Sequence, residues 1–200
     1  MSFSGRVKEE LSYQTGVAMH CRIAEIAAIL SLCGKVNIDE NGKVSVKIHT
    51  ENLAVSRKYF TLVKKTYNID CDIAIRSHIH TGKSRSYILD VKDDYAARKI
   101  LSSVKFMNGD GNFERDYTQV DSLILRKACC KRAFLRGAFL CAGSISEPEK
   151  TYHFEIVCIT PERAWQICDM MKTFDIEGKY ITRKKYHVVY IKEASQIVDI

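Results

Sequence analysis

The chain has 200 residues, of which 46% are hydrophobic and 28% are charged, and its formal net charge is +7. This composition excludes general disorder, and the length allows a substantial core in one domain or in two fused halves. The apolar runs are too short for a membrane span, and the N-terminal residues lack the apolar centre of a signal peptide. We therefore expect a cytoplasmic protein with no membrane partner, and the excess of basic residues favours a polyanionic partner.

The first half of the chain predicts an N-terminal helix over Ser4–Ser12, capped by Ser4, and a core helix over Met19–Cys33. A hairpin follows in which alternation places one set of side chains against the helices. The inward residues of this hairpin are Val44, Val46 and Ile48, and Lys43, Ser45, Lys47 and His49 take the opposite face. The later elements are a helix over Asn52–Tyr67, a hairpin over Asp70–Lys92 with Ile73 and Ile75 inward and Arg76 on the polar face, and a helix over Asp93–Val104.

The second half predicts the same order of elements. These are a helix over Ser122–Ala142, a hairpin within Ser144–Ile159, a helix over Pro161–Phe174, strands at Lys179–Arg183 and His187–Lys192, and a last helix from Glu193. Because this helix stops in mid-pattern at Ile200, we expect the chain to be a fragment or a natural truncation. The predicted division is an N-terminal helix at 1–18, a first half at 19–104, a linker at 105–120 and a second half at 121–200.

Two apolar helical runs that end in glycine relate the halves, EIAAILSLCGKV from Glu25 and FLRGAFLCAGSI from Phe134. The spacing of 109 residues between Gly34 and Gly143 also carries Asn52 onto Pro161. A constant offset over several elements indicates an internal repeat.

Small residues on one face of these runs predict that the two helices pack closely against each other. Gly137 in a helix interior costs about 1 kcal/mol relative to Ala, which indicates a close backbone contact. The terminal glycines are expected to end the helices in the left-handed conformation. The predicted interface residues are Ala27, Leu30, Gly34, Gly137, Ala138, Cys141 and Gly143.

Basic residues cluster at the hairpin turns and on the polar sheet face. Paired basic turns in two related halves favour contacts with the phosphates of a duplex, and basic side chains on strands could reach base edges. The alternative for each turn residue is a solvated loop. The candidate DNA-binding residues are Lys43, Lys47, Arg76, Lys83, Arg85, Arg183, Lys184 and Lys185.

No motif for a cofactor is present, and we expect none. The eight cysteines form no CxxC pair, which predicts buried reduced thiols rather than a disulfide or metal framework. His78 and His80 lack a paired ligand at metal spacing, and NGDGNF after Met107 lacks the glycine and closing glutamate of a calcium loop.

The segments MSFSGRVKEEL, CRIAEIAAILSLCG and CCKRAFLRGAFLCAGSISEPEKTYHFEI resemble the WhiA family of bacterial sporulation and cell-division regulators. The repeat itself resembles the LAGLIDADG homing-endonuclease fold. The resemblance implies an α+β fold, a pseudo-twofold duplicated αββαββα arrangement whose two mainly antiparallel sheets form a saddle over DNA. The family joins this domain to a C-terminal helix-turn-helix domain, so we expect the chain to represent the first domain alone.

Homing endonucleases carry an acid before each terminal glycine, where two carboxylates share divalent metal ions. This chain has Cys33 and Ala142 at those positions, so the resemblance implies a catalytically inactive DNA-binding domain of a transcriptional regulator, associated with the nucleoid. Double-stranded DNA is the expected partner, together with protein partners in transcription. A protein-interaction scaffold with little DNA affinity stays open as an alternative, and an active metal-dependent endonuclease is less favoured.

Overall fold

A computed structural model describes residues 2–77, 85–108, 110–113 and 119–200. The N-terminal helix is α1 Phe3–Tyr13, and the first repeat follows it. The elements of the first repeat are α2 Met19–Cys33, β1 Gly34–Ile38, β2 Val44–Thr50, α3 Leu53–Tyr67, β3 Asp72–Ser77, β4 Arg85–Val91 and α4 Asp94–Ser103. Within these described residues, no helix is both long and apolar enough to cross a membrane.

The second repeat has the same order of elements. They are α5 Ala128–Ala142, β5 Gly143–Ile145, β6 Phe154–Cys158, α6 Pro161–Lys172, β7 Lys179–Arg183, β8 Tyr186–Ile191 and α7 Ala194–Asp199. Each repeat forms one antiparallel four-stranded sheet, with strand orders β1-β2-β4-β3 and β5-β6-β8-β7. The predicted duplicated αββαββα fold is therefore confirmed.

Two helix starts differ from the sequence-based prediction. Ser2 caps α1 by accepting a hydrogen bond from the Gly5 amide at 3.1 Å, and the Ser4 hydroxyl instead accepts one from the amide of Ile145 at 3.3 Å. α5 begins at Ala128 because the residues before it form turns, in which the Leu125 amide donates to the Ser122 carbonyl. Met19 and Ala128 are also 109 residues apart, so the two core helices follow the repeat over their full length.

The inward faces of the sheets form the core with the helices. Val44, Val46 and Ile48 are buried, as predicted. Ile73 and Ile75, which were predicted to point inward, are 53% and 60% exposed. They lie opposite Leu89 and Tyr87 and therefore on the predicted face, but β3 is an edge strand. Alternation predicts the face of a strand and not the extent of the layer that packs on it.

The glycines at the ends of α2 and α5 are needed for space rather than for a left-handed backbone. Gly34 and Gly143 have φ values of −82° and −86°, so the predicted left-handed conformation is wrong. A Cβ atom on Gly34 would lie 2.9 Å from the Leu30 Cα, and one on Gly143 would lie 2.7 Å from the Phe139 carbonyl oxygen. The chain turns from helix into strand too tightly for a side chain.

α2 and α5 pack against each other at Gly137. A Cβ atom there would lie 2.9 Å from the Cβ of Ala28 and 3.0 Å from the carbonyl oxygen of Glu25. At Gly137 the contact uses Glu25 and Ala28 of α2, which the sequence-based interface did not include. Leu30, a predicted interface residue, lines a small void within the first repeat, together with Val36, Val46, Leu101 and Phe106. Small residues identified the close contact from α5, but not the residues of α2 that meet Gly137.

A buried ion cluster lies beside this contact. Both carboxylate oxygens of Glu25 accept hydrogen bonds from Arg136 at 2.9 Å, and Lys58 lies 3.1 Å from the same carboxylate. The side chains of Glu25 and Lys58 are fully buried. Lys58 also donates to the carbonyl oxygens of Leu11 and Gln14 at the end of α1. The cluster thus connects α1, α2, α3 and α5.

We expect Gly137→Val to destabilise the protein by about 3 kcal/mol, because the added side chain would overlap Ala28 and the α2 backbone. Urea unfolding followed by circular dichroism measures this loss. Ala128→Val, at the exposed start of the same helix, is the matched control and should cost less than about 1 kcal/mol. Equal losses in the two variants would contradict a close contact at Gly137.

We expect Glu25→Gln to cost about 3–5 kcal/mol, because it leaves the buried Lys58 ammonium without its carboxylate. Adding Lys58→Met removes that uncompensated charge, so the double variant should be more stable than Glu25→Gln alone. A double-mutant cycle from urea unfolding measures the coupling. Strictly additive costs would show that the two charges do not interact.

Candidate nucleic-acid interface

The strand register defines the outer face of the first sheet, which points away from the helices. Lys47 lies opposite Lys35 on β1 and opposite Asp90 on β4. Since opposed residues share a face, these three side chains project from the outer surface together. Asp72 lies opposite Asp90 and forms an ion pair of 2.9 Å with Lys92. The outer face of the first sheet therefore carries acidic as well as basic groups.

The basic residues near the second hairpin of this repeat do not share one face. Arg76 lies opposite Ser86 and projects from the outer face, two positions from Ala74. Arg85 lies opposite Ser77 and has the register of Tyr87 and Leu89, which places it on the helix side at the end of the sheet. Lys83, His78 and His80 lie outside the described residues.

Lys43 lies at the exposed turn before β2. Its amide and that of Asn41 donate to the Asp39 carboxylate at 2.9 Å and 2.8 Å, which fixes the turn between β1 and β2. Lys43 is therefore close to Lys47 along the chain but at the end of the sheet. The turn at Asn108 is held in a similar way, since the Asn108 side chain accepts hydrogen bonds from the amides of Asp110 and Asn112.

The second repeat places its basic cluster at the turn between β7 and β8. Lys184 has a left-handed backbone with φ of 54°, and the Lys185 ammonium lies 5.3 Å from the centre of the Tyr186 ring. Arg183 reaches across the outer face to Glu155, with 3.6 Å between guanidinium and carboxylate. His153 lies 3.0 Å from the same carboxylate. Glu155 thus neutralises part of the charge that Arg183 brings to this face.

Lys35 belongs to the outer face but was missing from the sequence-based set. The turn around Asn41 and Gly42 fixes which residues of β1 and β2 lie opposite each other. The pairing of Lys35 with Lys47 could therefore have been predicted from that turn. Asp72 and Asp90 were missed for a different reason, because their pairing depends on how β2 and β3 both associate with β4. That association is not encoded in a local turn.

The C-terminal ends of α2 and α5 carry thiols between the two sheets. Cys33 and Cys141 are hydrogen-bonded to each other; this bond, together with the charge of Lys8, lowers the pKa of the Cys33 thiol. Burial lowers the pKa of the Lys8 ammonium, which also lies 5.6 Å from the centre of the Phe139 ring. Neither Cys33 nor Ala142, the residues before the terminal glycines, has a carboxylate.

Two family models match the chain in succession. The WhiA N-terminal LAGLIDADG-like domain matches residues 19–107, and the WhiA LAGLIDADG-like domain matches residues 131–200. The chain belongs to the WhiA family. A relative from Lachnoclostridium phytofermentans, named probable cell division protein WhiA, is 47% identical over 201 aligned residues. The chain is covered completely and spans 64% of the length of this WhiA relative.

Solved structures agree with this assignment at the level of the fold. The N-terminal LAGLIDADG domain of DUF199/WhiA is 20% identical with a TM-score of 0.72, and the match covers 98% of this chain and 87% of that one. The homing endonuclease I-DmoI, solved in complex with DNA and Mn, is 11% identical with a TM-score of 0.62. That match covers 90% of this chain and 94% of I-DmoI.

Proposed function

We propose that this WhiA-family chain is a DNA-binding domain of a transcriptional regulator, and that it binds duplex DNA without cleaving it. The observation that carries the proposal is the combination of an endonuclease-like fold with the loss of carboxylates at both helix ends. Cys33 and Ala142 stand where hard oxygen ligands for Mg²⁺ would be required. Sheets of this kind can therefore follow a duplex without activating water at its backbone.

Nearby acids are already engaged in other interactions. Asp39 accepts the two amide hydrogen bonds of its own turn, and Glu147 lies 2.6 Å from Lys150 and 3.9 Å from Arg6. These contacts hold both carboxylates in the loops that follow β1 and β5. Neither acid comes from the end of a core helix, so the pair does not reproduce two ligands at the pseudo-twofold axis.

The groups available for DNA are Lys35, Lys47 and Arg76 on the first sheet and Lys184 and Lys185 at the turn of the second. These cations would contact phosphates, which supply most of the affinity in binding without sequence preference. Asp72, Asp90 and Glu155 on the same faces would oppose binding. We therefore propose modest DNA affinity for this domain, with the remaining affinity and the operator specificity coming from the helix-turn-helix domain that the family joins to it.

The opposing acids also support a second candidate function. A sheet face with paired charges, such as Arg183 with Glu155, is suited to a protein partner as well as to DNA. In this alternative the chain is an interaction scaffold of the regulator and has little DNA affinity of its own. The two functions differ in the strength and the salt dependence of binding to DNA.

The first test measures binding of the 200-residue chain to random duplex DNA over a series of salt concentrations, with and without Mg²⁺ or Mn²⁺. We expect binding that weakens steeply with salt, because each phosphate contact releases a counterion, and we expect no cleavage in the same samples. Absence of binding at low salt would favour the scaffold. Metal-dependent cleavage would overturn the proposal.

The second test uses single substitutions in the same assay. Lys184→Gln should reduce the slope of log K against log salt by about 0.9, the value for one phosphate contact. Glu155→Gln should strengthen binding, because it removes a negative charge and releases Arg183. Lys99→Gln, which changes an exposed lysine on α4 and alters the net charge equally, is the matched control. An equal effect of Lys99→Gln would show that only net charge matters.

A further inference from the structure

Four potential metal ligands meet where the first turns of α2 and α5 come together. The ligand atoms of His20, Cys21, Cys129 and Cys130 all lie within 4.8 Å of one another. His20 Nδ1 is 3.2 Å from the Cys130 sulfur and 3.4 Å from the Cys21 sulfur. A tetrahedral zinc ion with zinc–sulfur bonds of about 2.3 Å holds its ligand atoms about 3.8 Å apart. The cluster is thus close to the dimensions of one coordination sphere.

The cluster follows the internal repeat. His20 and Cys129 are 109 residues apart, as are Cys21 and Cys130, and this is the offset that relates Gly34 to Gly143. Each half contributes an adjacent pair from the second and third positions of its core helix. The pairs have no metal-binding spacing in the sequence, and they become a four-ligand set only through the pseudo-twofold packing of α2 on α5.

The chemistry of the four groups selects the kind of ion. Three thiols and one imidazole are soft or borderline ligands that suit Zn²⁺, whereas Mg²⁺ and Ca²⁺ prefer oxygen. The four ligand atoms are too close together for an iron–sulfur cluster, whose protein ligands are spread over two or more iron atoms. The positive ends of two helix dipoles point at the cluster and favour thiolates there.

Each core helix contributes one buried and one exposed ligand. Cys21 and Cys130 are buried, while His20 and Cys129 are exposed. The exposed pair gives an ion a route from solvent to the buried thiols.

We propose that His20, Cys21, Cys129 and Cys130 bind one Zn²⁺ ion, which joins the two repeats at the N-terminal ends of α2 and α5. This site is at the opposite end of the helix pair from Gly34 and Gly143, and it does not depend on whether the chain binds DNA. The prediction of unligated thiols made from the sequence would then hold only for the other cysteines.

The test titrates the reduced, chelator-treated 200-residue chain with Co²⁺ and then with Zn²⁺. We expect about one ion per chain, the intense visible absorption and thiolate charge-transfer bands of tetrahedral cobalt, and displacement of cobalt by zinc. Zinc should also raise the melting temperature, because it binds only the folded arrangement.

His20→Ala and Cys129→Ser remove exposed ligands, so both variants should keep the fold by circular dichroism. Each should weaken Co²⁺ binding at least about 10-fold. Even residues that only hydrogen-bond to a metal ligand typically change metal affinity by about 10-fold to 100-fold. Cys168→Ser, on α6 and outside the cluster, is the matched control and should bind like the parent chain. Co²⁺ affinity equal to that of the parent chain in His20→Ala and Cys129→Ser would overturn the site. A disulfide among the three cysteines of the cluster would also overturn it, if the chain takes up no metal after that disulfide is reduced.

Discussion

The close packing of α2 on α5 is the constraint on which the rest of the structure depends. Each helix leads directly into the first strand of its sheet, so the angle and separation of the two helices set the relation between the two sheets. Gly137 permits the contact, and Glu25 fixes its register by accepting from Arg136 of the other repeat while pairing with Lys58. Burying these charges is costly, so their value is in defining one arrangement rather than in added stability.

The two ends of this helix pair have different chemistry. At the C-terminal ends the chain enters the sheets, and Cys33 and Ala142 precede the terminal glycines. At the N-terminal ends the side chains are three cysteines and a histidine. The same packing therefore places soft ligands together at one end and provides no pair of hard ligands at the other.

The sequence was sufficient for the order of elements, the repeat and the inward face of β2, because these depend on local periodicity and on a constant offset. It was insufficient where a neighbour decides the outcome. Ile73 has the alternation of a buried residue but is half exposed, because it belongs to an edge strand. The terminal glycines were recognised for the wrong reason, since close approach and not a positive φ requires them.

The charge of the sheet faces at the candidate DNA interface also depends on neighbouring strands. Single basic residues can be identified from alternation, as with Lys47 and Arg76, but the net field depends on which acids the register brings beside them. Asp90 beside Lys47 and Glu155 beside Arg183 each reduce the local positive potential. A duplex backbone approaching both sheets would therefore be held mainly by the turn at Lys184 and by the lysines of β1 and β2. Such a distribution favours weak, salt-sensitive tracking of DNA over tight sequence-specific recognition by this domain.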